Sequence, residues 1–193
     1  EVRDMYPEER KLIFVFILSI NSDQRERLYR KLQKSIQEFQ EKINRHKLLK
    51  KKVYIEVFKG SLEISIPNAI KSIEETIKYY KKNGIEYHKP WIVVIDDGID
   101  RVINIGDEKW WNLRRKIIEK EIVEGYQFFP VSVGGANLDL LYTLFFNRCP
   151  VRLKENMYAE MFEWFAEAIN RMLVYSQETI EERVILPTLN WIF

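Results

Sequence analysis

The chain of 193 residues has one cysteine, Cys149, and two histidines, His46 and His88. A single thiol excludes an intrachain disulfide and suits a reducing compartment. Two histidines far apart in sequence argue against a histidine-rich metal site. No apolar run approaches the roughly 18 to 20 residues of a membrane span. The best candidate, Leu12–Ile20, is too short and lacks a signal-peptide cleavage pattern. Charge bias is missing as well. The 31 Lys and Arg nearly cancel the 29 Asp and Glu, leaving a net charge of +2. Composition therefore gives no argument for nucleic acid or an anionic membrane as a partner. Internal repeats and low-complexity segments are absent. The chain begins at Glu1 rather than Met, as expected of an excised domain or a trimmed chain.

What is present is a hydrophobic fraction of 46%, enough for a sizeable core in a chain of one-domain length. The expected organisation is a single domain over residues 1–193, with an N-terminal arm at 1–10 and a C-terminal tail at 176–193. Leu12–Leu18 reads as a buried strand that ends in the polar loop Ser19-Ile20-Asn21-Ser22-Asp23. A helix follows from about Gln24 to Lys47, with Leu28, Leu32, Ile36, Phe39 and Ile43 on one face and Ser22 or Asp23 as its N-cap. Val53–Phe58 is strand-like. Leu62–Ile66 alternates apolar and polar residues, so the two segments around Lys59-Gly60-Ser61 read as a hairpin. That reading puts Ser65 on a solvated strand face and starts the next helix at Pro67. Strands follow at Trp91–Ile95, Phe128–Val133 and Val151–Leu153. Helices follow at Glu108–Glu124 (capped by Asp107), Leu138–Phe146 (capped by Asn137) and Met157–Tyr175. Strands alternating with helices predict a doubly wound α/β sheet.

The densest signal is Lys89-Pro90-Trp91-Ile92-Val93-Val94-Ile95-Asp96-Asp97-Gly98-Ile99-Asp100. An apolar strand stops at two aspartates and a glycine, with a third aspartate close behind. In an open α/β sheet, ligands bind outside the carboxyl ends of the strands, which is where these carboxylates fall.

Four pieces carry a resemblance to a known family. They are Gly84 to Gly98, Phe128 to Ala136, Arg148 to Leu153 and Met161-Phe162-Glu163-Trp164-Phe165, with Ser176 after the last. In this order and spacing, residues 84 to about 190 resemble the von Willebrand factor A (VWA) domain. The likeness is to its bacterial cytoplasmic branch, associated with tellurium resistance and stress response. The resemblance implies a three-layer Rossmann-like α/β fold. Its sheet would be mostly parallel, with six strands, one antiparallel edge strand from the hairpin, and helices on both faces. It also implies a metal-ion-dependent adhesion site. There an Asp-x-Ser-x-Ser loop, a threonine loop and a fourth-strand aspartate hold a magnesium ion, and an acidic residue of a protein partner completes its coordination.

Set against that pattern, this chain has a degenerate site. Ser19 stands where the first aspartate belongs, and Asn21 and Asp23 stand where the two hydroxyls belong. Ile66 runs directly into Pro67, leaving no room for the threonine loop. Asp97 alone matches, with Asp96 in place of the threonine before it. The candidate metal ligands are therefore Ser19, Asn21, Asp23 and Asp97. They are expected to be empty or to bind magnesium weakly, and no cofactor is expected.

Competing readings rank lower. Asp96, Asp97 and Asp100 could join Asp23 in a magnesium-dependent phosphotransfer or hydrolytic site, against the simpler reading of a solvated acidic turn. Glu56 and Lys59 with Asp97 form a weak nuclease-like set. Gly134-Gly135 reads better as a tight turn than as a phosphate cradle. Neither histidine lies near a nucleophile elbow, and Cys149 reads as packed. Of the adjacent pair Trp110 and Trp111, helical geometry lets only one face the core. The apolar end Leu189-Asn190-Trp191-Ile192-Phe193 either docks back or serves a scaffold or oligomer. The expectation is a non-enzymatic protein-interaction module of the bacterial cytoplasm. Its partner surface is the strand-end loops around residues 19–23, 97–111 and 134–138, with Asn21, Ser22, Asp23, Asp97, Asp100, Trp110 and Trp111 as contact residues, and the resemblance implies a kinase or phosphatase as partner. No nucleic-acid or membrane partner is expected.

Overall fold

A computed structural model describes residues 10–99, 102–175 and 189–192. Asp100, Ser176, Phe193 and most of the N-terminal arm lie outside the described residues. The apolar runs form five parallel strands: β1 (Leu12–Ser19), β2 (Val53–Lys59), β3 (Trp91–Asp96), β4 (Gln127–Ser132) and β5 (Val151–Arg152). They are ordered β2-β1-β3-β4-β5. Every residue of β1 and of β3 is buried, because helices cover both faces of the sheet. This explains why these strands read as continuous apolar runs rather than alternating ones.

The helices are α1 (Glu26–Arg45), α2 (Leu49–Lys52), α3 (Leu62–Lys82), α4 (Glu108–Ile118), α5 (Asp139–Leu144) and α6 (Tyr158–Asn170). Alternation along β1 divides the core. Leu12, Phe14, Phe16 and Leu18 pack with Leu32, Ile36 and Phe39 of α1 and Phe162 and Phe165 of α6. Ile13, Val15 and Ile17 pack with Ile66, Ile70 and Ile73 of α3 and with Trp110 and Leu113 of α4. The result is a three-layer, Rossmann-like α/β arrangement. Two helices run on into π-helical turns, Glu119–Val123 after α4 and Arg171–Tyr175 after α6.

The expected hairpin is overturned, and with it the sixth strand and the antiparallel edge strand. Leu62–Lys82 is one helix that carries Pro67 inside it. Leu62, Ile66, Ala69, Ile70 and Ile73 form a buried stripe at helical spacing, whereas Ile64, the middle of the supposed alternation, is 58% exposed. Proline forfeits one backbone hydrogen bond inside a helix. Burial of a full apolar stripe, at about 25 cal/mol per Å², offsets that loss here. Ser65 is accordingly buried on α3 rather than solvated on a strand. The antiparallel pairing among the described residues is an isolated bridge between Leu153 and Ile192. The tail docks back there, with Trp191 buried against Trp164 and Phe165. Among the described residues no helix is long and apolar enough to cross a membrane.

Candidate functional site: the β1/β3 switch point

β1 pairs with β2 on one side and β3 on the other, so the chain leaves these strands in opposite directions. The crevice at their carboxyl ends is where open α/β sheets take ligands. Ser19 and Asp96 are in register there, and the Asp97 amide donates to the Ser19 carbonyl at 3.1 Å. The Asp97 carboxylate ties two loops together. Its Oδ2 accepts from the Asn21 amide at 2.8 Å and its Oδ1 from the Ile99 amide at 2.9 Å. Asp96 and Asp97 are 1% and 3% exposed.

Asn21 continues the chain of bonds. Its Oδ1 accepts from the Gln24 amide at 2.8 Å, and its carbonyl accepts from the Arg25 amide at 2.9 Å. Neither Ser22 nor Asp23 caps α1, whose N-cap is Arg25 with no side-chain cap bond. Both of those residues are exposed, and α1 begins two residues later than its apolar period suggested.

Sequence reasoning missed Ser61. With the hairpin gone, β2 turns directly into α3 through Gly60, whose φ of 131° suits glycine. The Gly60 amide donates to the Leu18 carbonyl at 3.1 Å. Ser61, the N-cap residue of α3, therefore follows a turn pinned to the end of β1. The signal that could have found it was the helical stripe beginning at Leu62.

The donor chemistry does not fit a hard divalent cation. Such an ion needs several oxygen ligands, mostly carboxylates. Here the first loop offers Ser19 and Asn21, and both oxygens of Asp97 already hold backbone amides. Among the described residues no three His, Cys, Asp or Glu side chains cluster closely enough to hold a metal, so Asp23 does not complete a set with Asp96 and Asp97.

The remaining candidates separate in space. Glu56 accepts from the hydroxyls of Tyr54 and Ser72, at 2.5 and 2.6 Å, while Lys59 lies over the Tyr29 ring of α1. Odd and even positions of β2 face opposite ways, so the nuclease-like set is not assembled. The Glu56 contact pushes the Tyr54 hydroxyl up to about 12. His46 caps a turn, its Nδ1 accepting from the Leu48 and Leu49 amides. Cys149 is exposed rather than packed, because it sits in the turn leading to β5. Gly134 and Gly135 both have positive φ, 65° and 74°, as a tight turn requires. The six-residue α5 behind them is too short for a phosphate cradle.

Asp107 caps α4 as expected, accepting from the Trp110 amide at 2.8 Å. Trp110 is buried and its indole donates to Thr143 Oγ1 at 2.9 Å, which removes it from the expected contact surface. Trp111 is 51% exposed. Val102 and Ile105, in the connection from β3 to α4, are exposed to a similar degree. Comparison of the chain with family models, curated proteins and solved structures gives no match.

Proposed function

We propose that this chain is a VWA-like protein-interaction module that engages its partner without a bound metal, through the loops at the β1/β3 switch point. The observation that carries the reading is the state of Asp97. A carboxylate buried at the ligand-binding end of the sheet braces two loops, each oxygen accepting a backbone amide. This is the chemistry of a scaffold rather than of an open coordination site or a general base.

The braced loops lead to a surface suited to a protein. Val102, Ile105 and Trp111 expose large apolar side chains along one segment of ten residues, and tryptophan is enriched at contact surfaces. Ser22 and Asp23 supply an exposed polar edge on the neighbouring loop. A bacterial stress-response or tellurite-resistance setting, with a kinase or phosphatase as partner, rests on the sequence resemblance alone.

The test is a pull-down with wild-type protein and the Trp111→Ala variant, each with and without EDTA. The expected result is capture insensitive to chelator and lost in the variant. Capture that disappears with EDTA, or that survives Trp111→Ala together with Ile105→Ala, overturns the proposal.

A further inference from the structure

A second surface lies at the far side of the sheet's carboxyl end. A cleft of about 990 Å³ opens between the start of α1, the β4–α5 turn and the β5–α6 loop. Arg25, Arg27, Lys31 and Arg152 line it, against one carboxylate, Glu155. Its local charge of +3 exceeds the +2 of the whole chain. None of the four cations has a carboxylate partner among the described residues. The nearest acid on α1, Glu26, pairs instead with Arg30 at 2.5 Å.

The cleft is also pre-shaped. The Arg25 guanidinium lies against Gly134, close enough that a Cβ there would collide with Nη1. It donates to the Gly134 carbonyl at 3.1 Å, while its Nε is buried without an acceptor. Its side chain is thus held in place before any ligand arrives, which lowers the entropic cost of binding. The half-buried Leu28 and Tyr158 add apolar surface to the lining, over the buried Val133 and Leu153.

We infer that this cleft docks an acidic, partly apolar peptide segment of a protein partner. Charge complementarity selects an anion, and the spread of the charges selects an extended one. Arg25 to Lys31 covers six helical residues, about 9 Å at the α-helical rise. Arg152 lies on β5, three strands away from β1 in the sheet, at roughly 4.8 Å per strand. A single phosphate cannot reach all four. Nucleic acid is disfavoured because, among the described residues, Tyr158 is the only aromatic ring lining the cleft, and single strands need several stacking rings. A peptide alternating acidic and apolar residues matches both the cations and the walls. This extends the interaction reading to a surface separate from Trp111.

The test is fluorescence anisotropy with a labelled nonapeptide of alternating Glu and Leu, alongside its Lys–Leu counterpart. ATP and poly-uridine RNA serve as competing polyanions. The expected result is micromolar binding of the acidic peptide only, weakening at least tenfold between 50 and 300 mM salt. The Arg27→Glu/Arg152→Glu double variant, which alters only side chains at the cleft surface, should lose at least tenfold in affinity with an unchanged melting temperature. Trp111→Ala should bind the peptide like wild type, so failure here and failure at the switch point are told apart. Equal binding by the charge-reversed variant, no binding to 1 mM, or preference for ATP or RNA over the peptide each overturns the inference.

Discussion

Replacing Asp97 gives the sharpest measure of what the switch point is for. Its carboxylate is 3% exposed and accepts two backbone amides at 2.8 and 2.9 Å. A hydrogen bond to a charged acceptor contributes about 1.5–3 kcal/mol, and an orphaned buried donor costs about 1–3. Asp97→Ala deletes both bonds and leaves the Asn21 and Ile99 amides without their acceptor, a loss of about 3–6 kcal/mol. Asp97→Asn keeps one oxygen but turns an amide donor toward the other backbone donor, for a loss of about 2–3 kcal/mol. Typical domains have only about 5–15 kcal/mol in total, so both effects are large. Urea unfolding followed by circular dichroism reads them directly. With a slope of about 2 kcal/mol per molar, the Asp97→Asn midpoint falls by roughly 1 M and the Asp97→Ala midpoint by more. A functional carboxylate held at a stability cost behaves oppositely, since its removal leaves stability unchanged or raised. An Asp97→Asn midpoint at or above wild type would therefore refute the bracing role.

Trp191→Ala should lower stability by about 3–5 kcal/mol, the usual cost of emptying a buried aromatic site, because its ring packs on Trp164 and Phe165 with centroids 5.9 and 6.2 Å away. A melting temperature within a degree of wild type would show that the tail does not dock. His88 should make stability pH-dependent. Burial, with Arg10 and Lys52 nearby, pushes its imidazole down to about 4 from the ordinary 6.5. The unfolded chain therefore binds the proton more readily, so stability from this group is full above pH 6.5 and drains away as pH falls toward 4. His88→Gln should flatten urea midpoints measured across that window, and parallel wild-type and variant profiles would contradict this.

Where sequence and structure agree, the information was local. The apolar runs at residues 12–18, 91–95 and 128–133 became strands because only a strand buried on both faces tolerates so many β-branched and aromatic residues in succession. The hairpin failed because two periods overlap at its start. Leu62 and Ile66 satisfy both an alternating strand and a helical stripe, and Pro67 resembled a helix start. Packing decided it, because Leu62 and Ile66 join Ala69, Ile70 and Ile73, already read as helical, in one buried stripe.

At the switch point, Asp97 was visible from its place at the end of an apolar strand. Its burial and its two amide contacts were not, since Asn21 lies 76 residues away. Ser61 was hidden by the false hairpin. Of the two tryptophans, the helix period required one to face outward, but only the position of Thr143 beneath α4 made Trp110 the inner one.

The sequence alone determined the layered α/β class, the strand ends that carry polar chemistry, and the near balance of charge. Tertiary structure decided where that charge resides. A net charge is a sum over the chain and carries no position. Folding set Arg25, Arg27 and Lys31 beside Arg152, distant in sequence, and paired Glu26 elsewhere. Electrostatic interaction depends on distance and screening rather than on sequence order, so a chain that is nearly neutral on paper presents a strongly basic cleft.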